Sequence, residues 1–114
     1  MDFKTAMNQH LAWMVNLRVA VAQHQRLEAP QVSRDDACQL GTWLHGEAKS
    51  RHGHLPAHGE LLTHHAAFHK ETGRLVDLLN QGRYDEVEAG IGLGSEFGRL
   101  SNRVRNSLRA VLQP

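Results

Sequence analysis

The chain has 114 residues, with 13 Lys and Arg against 12 Asp and Glu and a formal charge of +1 at pH 7; that length suits one domain over 1–114, and the near-neutral balance excludes the concentrated basic excess of a nucleic-acid-binding protein. No apolar run reaches the ~20 residues of a membrane span, so no membrane insertion is expected, and Met1-Asp2-Phe3-Lys4-Thr5 lacks the apolar core of a secretory signal. One cysteine cannot form an intrachain disulfide, which fits a reducing, cytoplasmic setting, and the composition stands out in its 9 histidines and only 3 prolines.

No segment alternates apolar and polar residues over a useful length, so the predicted fold class is all-α. Phe3, Met7, His10, Met14, Leu17, Val21 and His24 recur at intervals of three and four, predicting a first helix from about Asp2 to Leu27 that Pro30 ends. Ser33 offers an N-cap, with Asp36 as a capping-box partner, to a second helix over about Arg34 to Lys49. Ser50 to Gly59, with Gly53 and Pro56, reads as a loop with room for a short helical turn. A third helix, from about Ala57 to Asn80, carries the stripe Leu61/Leu62, His65, Phe68/His69, Thr72, Leu75/Val76 and Leu79, with Gly82 as its C′ residue. A fourth begins near Tyr84 and lines Phe97, Leu100, Val104, Leu108 and Val111 along one face. Short connections predict an antiparallel four-helix bundle.

The chemistry gathers on three of these helices. His65 and His69 are four apart, so both imidazoles reach one point on a helix face. His10 lies on the apolar stripe of the first helix, and Cys38 near the start of the second. Taken singly, these read as two partly exposed histidines, a satisfied core histidine and a small buried hydrophobe. Taken together, three core-facing imidazoles and a thiol each need a partner, and the set matches a closed tetrahedral Cys-His₃ zinc site between helices 1, 2 and 3.

In Cys38-Gln39-Leu40-Gly41-Thr42-Trp43, Gly41 shares the face of Cys38 and leaves space for a neighbouring helix. With His10 and Trp13 before this segment and His65-Ala66-Ala67-Phe68-His69 after it, the chain resembles the chemoreceptor zinc-binding (CZB) domain family. That family shows a His followed by an aromatic, then Cys-x-hydrophobic-Gly-x-aromatic, then His-x-x-x-His, in this order. The resemblance implies Zn²⁺ as the cofactor and His10, Cys38, His65 and His69 as its ligands. It also implies a homodimer, and a sensory or regulatory role beside a bacterial chemoreceptor or diguanylate cyclase partner, responding to zinc or to thiol oxidants. Neither partner's own domain is recognisable, so a free-standing member or an excised piece is expected.

Four protein ligands close the zinc shell, whereas catalytic zinc keeps a position for water; no enzymatic activity is therefore expected. Two other readings stay open at this point: a zinc metalloenzyme with one open position, and a plain helical interaction module. His45, His52, His54 and His58 read as polar surface or loop residues, Pro56 disfavouring a regular turn between the last two. His64 falls off the main stripe, and His24 is about four turns from His10. Gly90-Ile91-Gly92-Leu93-Gly94 follows no strand, so it reads as close helix packing or an interrupted helix. Arg99, Arg103, Arg105 and Arg109 read as a solvated face. Ala6, Trp13 and Ala20 widen the apolar face of the first helix, which also predicts a homodimer.

Overall fold

The computed structural model describes residues 3–27, 39–92 and 94–112, apart from the side chains of Phe3, Gln9, Trp13 and Gln39. All regular secondary structure among these residues is helical: α1 (Phe3–Gln23), α2 (Gln39–His45), α3 (Glu47–His52), α4 (Pro56–Asn80), α5 (Tyr84–Gly90) and α6 (Glu96–Leu112). No helix of the described residues is long and apolar enough to cross a membrane.

Helix α1 stops four residues short of the expected Leu27. His24 adopts a left-handed φ of 53°. Its amide donates to the Val21 carbonyl at 3.3 Å, and the Gln25 amide to that of Ala20 at 2.9 Å. This is a Schellman ending with histidine in the place glycine normally takes, and the His24 ring stacks on Tyr84 at 4.0 Å with planes 6° apart. Just beyond, Asn80 Nδ2 donates to the Leu27 carbonyl at 2.7 Å, and the Leu27 amide donates to Asn80 Oδ1 at 3.0 Å. The chain leaving α1 is thereby pinned to the end of α4.

The expected second helix is divided. Its expected start, with Ser33, Arg34 and Asp36, lies outside the described residues, and Gly46 separates α2 from α3 with non-helical dihedrals (φ −109°, ψ −101°). Helical structure then runs on to His52, which leaves only Gly53–Leu55 of the expected loop. Helix α4 agrees with its expected span to within a residue. Pro56 occupies its first position, where a missing N–H costs nothing. Gly82 takes φ 77°, and the amides of Gly82 and Arg83 close a second Schellman ending on Leu79 and Leu78, both at 3.0 Å. The expected fourth helix is interrupted between α5 and α6. Close packing contributes there too, because a Cβ on Gly90 would lie 2.5 Å from Leu75 Cδ2.

Helix α4 is the spine. It packs along α6 and also meets α1, α3 and α5, while α1 meets α4, α5 and α6. Leu17, Leu40, Leu61, Phe68, Phe97, Val104 and Leu108 lie in one buried cluster, and Ala20, Val21, Leu79 and Val87 form a second at the Tyr84 end.

Because an L-residue in the left-handed region costs about 1–2 kcal/mol, the Tyr84 stack and the chain reversal must hold His24 there. His24→Gly relieves the backbone cost while losing the stack, and should leave stability within about 1 kcal/mol of the parent. His24→Val loses the stack and places a β-branched residue in a forbidden well, for a loss of about 2 kcal/mol in thermal unfolding.

Candidate metal centre

His10 enters the core from α1, on the stripe it shares with Met7, Leu17 and Val21. His65 and His69 enter from α4, one turn apart on the face that also buries Leu61, Phe68 and Thr72. The three rings are nearly inaccessible, at 3%, 0% and 2% of full exposure. One ring nitrogen from each lies within 4.8 Å of the others. The Nε2 atoms of His65 and His69 are 3.1 Å apart. Ring centroids lie 5.3 Å apart for His10–His65 and 5.9 Å for His10–His69.

A metal fits these positions. Tetrahedral zinc with Zn–N bonds of about 2.0–2.1 Å spaces its nitrogens about 3.3 Å apart, so the His65–His69 pair already has the required separation and His10 needs only a small closure. Both nitrogens of His10 are buried, with no hydrogen-bond partner among the described residues. Such an orphaned ring is costly in an apolar interior unless something accepts its lone pair. Cys38 lies outside the described residues, as does the side chain of Trp13.

The electrostatics favour a cation bound to neutral rings. Burial first, and then the neighbouring His69, hold His10 far below the ordinary imidazole value, at about 3. Burial also pushes His65 down, assisted by His69, His10 and His45. Both rings therefore present lone pairs at neutral pH, the form a metal needs.

The remaining histidines divide. His64 is half-buried beside the fully buried His65, in keeping with its place off the stripe, and His45 and His54 are exposed. His58 corrects the expectation of a polar loop: it is 4% exposed, and its Nε2 lies 3.3 Å from the Leu44 carbonyl oxygen. Pro56 starts α4 instead of breaking it, so His58 falls two turns before His65 on the same buried face. That seven-residue spacing was the available signal. His24 lies beyond the end of α1 rather than on its stripe. The expected widening of α1 is corrected as well. Ala6 and Ala20 are buried inside this chain, and the exposed apolar stripe is Leu11, Val15 and Val19.

The metal-free protein should lose stability in acid. The unfolded chain takes up protons on His10 and His65 near pH 6.5, while the folded chain resists, His10 down to about pH 3. Stability is thus level above pH 6.5, falls as pH drops through 6.5, and keeps falling toward pH 3. Denaturant midpoints of chelator-stripped protein between pH 8 and 4 measure this. A midpoint unchanged from pH 7 to 5 would contradict it.

The family model of the chemoreceptor zinc-binding domain matches residues 10–76. Comparison with curated proteins and with solved structures gave no match. The matched span opens on His10, contains Cys38, His65 and His69, and covers more than half of the 114 residues. With the buried imidazole cluster, it makes Zn²⁺ the cofactor of this chain. The chain belongs to the chemoreceptor zinc-binding domain family.

Proposed function

We propose that residues 1–114 form a single zinc-binding sensory or regulatory domain, a four-helix bundle whose ion sits in a closed Cys-His₃ shell of His10, Cys38, His65 and His69. The observation that carries this reading is the convergence of three buried imidazoles from α1 and α4 within 4.8 Å. In such a shell the three rings and the thiolate would hold the ion, and zinc supplies charge that binds them together. No position is left for a reacting water, so the domain is not an enzyme. Zinc also keeps the Cys38 sulfur as a thiolate, the form that oxidants attack. Oxidation would weaken that donor and free the ion, so oxidants join zinc as inputs. The output would pass to a chemoreceptor or diguanylate cyclase partner in the bacterial cytoplasm, by analogy with the family.

The three-histidine cluster also suits a second reading, since three imidazoles plus water form a catalytic zinc shell. Cobalt substitution separates the two: Cys38 in the shell gives intense sulfur-to-cobalt absorption that Cys38→Ser removes, whereas a water-bearing shell gives none. Metal analysis of purified protein should find one zinc per chain. His65→Ala should abolish tight binding and His64→Ala leave it largely intact. Tight binding by His65→Ala would place the ion elsewhere.

We further propose that the chain forms a homodimer across the outer face of α1. Leu11, Val15 and Val19 are 47%, 58% and 44% exposed and recur every four residues, so they form one stripe. A second copy offers the same stripe, and twofold pairing covers both at once. Val15→Glu should turn a dimer into a monomer in light scattering at micromolar concentration while leaving helical content unchanged. A monomeric parent protein would refute the interface.

A further inference from the structure

Metal-ligating histidines are ordinarily oriented through their second ring nitrogen, which donates to a carboxylate, a carbonyl or water. His10 has no such partner among the described residues. Rotation of an imidazole about its last torsion is soft, so a ring without that hydrogen bond does not by itself hold a lone pair on a fixed point. What lies against the ring is Phe68, stacked at a centroid distance of 4.3 Å with planes 29° apart.

Phe68 is itself firmly held. It is fully buried, and its ring packs on Phe97 of the first turn of α6 at 5.1 Å and 39°. It also meets His69 edge to face at 5.6 Å and 89°. One turn on, the buried Thr72 hydroxyl donates to the Phe68 carbonyl at 2.8 Å. A rigid aromatic plane therefore faces His10 from the same helix turn that supplies His65 and His69.

We infer that Phe68 is the positioning residue of His10: its ring, backed by Phe97, fixes the plane of the His10 imidazole and so aims its lone pair at the point shared with His65 and His69. The inference rests on the reading of these three histidines as zinc ligands. It assigns to stacking the work that a hydrogen-bonding outer shell does in other histidine sites.

The test compares Phe68→Leu and Phe68→Met, which keep buried apolar bulk without a flat ring, with Phe97→Leu. The last removes an aromatic from the same cluster but leaves the stack itself. Zinc affinity is read by competition with a chromophoric chelator, and ligand geometry by the absorption bands of the cobalt-loaded full chain. Both Phe68 variants should bind zinc about ten-fold more weakly, with shifted cobalt bands. Phe97→Leu should lose less than about three-fold, with bands unchanged. Parental affinity and bands in the Phe68 variants, or an equal loss in Phe97→Leu, would overturn the assignment. The parent protein needs no substitution for a second measurement, because a ring stacked on Phe68 shows its carbon-bound proton resonances shifted upfield in the zinc-loaded state. Unshifted His10 resonances would also overturn the assignment. A parent that binds no zinc, or a His10→Ala variant that binds as tightly as the parent, would instead remove the metal site on which the inference stands.

Discussion

Three imidazoles buried within 4.8 Å of one another are the constraint around which the molecule is arranged. Each ring is polar, and each sits where apolar contacts dominate. Burial disfavours a proton on His10 and on His65, so both rings stay neutral and keep a lone pair directed inward. Such an arrangement is costly as an empty core. With a divalent ion at its centre, the same desolvation strengthens the attraction between ion and lone pairs. The feature that weakens the metal-free core is therefore the one that suits it to hold a metal.

Helix α4 converts this local chemistry into a property of the whole fold. Its 25 residues bury one continuous face from His58 to Leu79. That face meets His10 of α1 around His65 to His69, and its length runs beside α6. Both of its ends are fixed, by Pro56 at the first position and by the Gly82 turn at the last. With the proposed ligands, removing the ion would relax His10 on α1 before His65 and His69, which share a turn of α4, because neighbouring helical residues are held together by the backbone itself. In the proposed homodimer, movement of α1 against a second copy would be a physical route from zinc occupancy to an output.

The surface contributes little to this economy. The ion pairs among the described residues are local, linking Glu47 to Arg51, Glu71 to Arg74, Glu86 to Arg83 and Glu96 to Arg99. Exposed pairs of this kind stabilise a helix by only a few tenths of a kcal/mol, about 0.3–0.5. The outer stripe of α1 is different, since Leu11, Val15 and Val19 gain nothing from water. Architecture thus depends on the core and the metal centre, and the proposed association on one helix face.

Periodicity alone determined that the chain is helical, where α4 lies and which of its residues are buried, because a repeat of three and four has one helical solution. The same pattern placed His10, His65 and His69 on inward faces, and Gly82 at a helix end. Tertiary structure decided what periodicity does not encode. Pro56 could break a helix or begin one, and the beginning prevailed because its missing N–H is harmless at the first position; that choice buried His58. Gly46 divides the expected second helix, and a left-handed His24 closes α1 because a stack on Tyr84 and two backbone hydrogen bonds support it. The flanks of α1 were exchanged as well: small Ala6 and Ala20 admit neighbouring helices and are buried, while the bulkier Leu11, Val15 and Val19 remain outside. Hydropathy ranks such residues by transfer to oil, whereas close helix packing also selects them by size. The seating of His10 on Phe68 arises in the same way, from two helices brought together by the rest of the core, a juxtaposition that neither helix's sequence carries by itself.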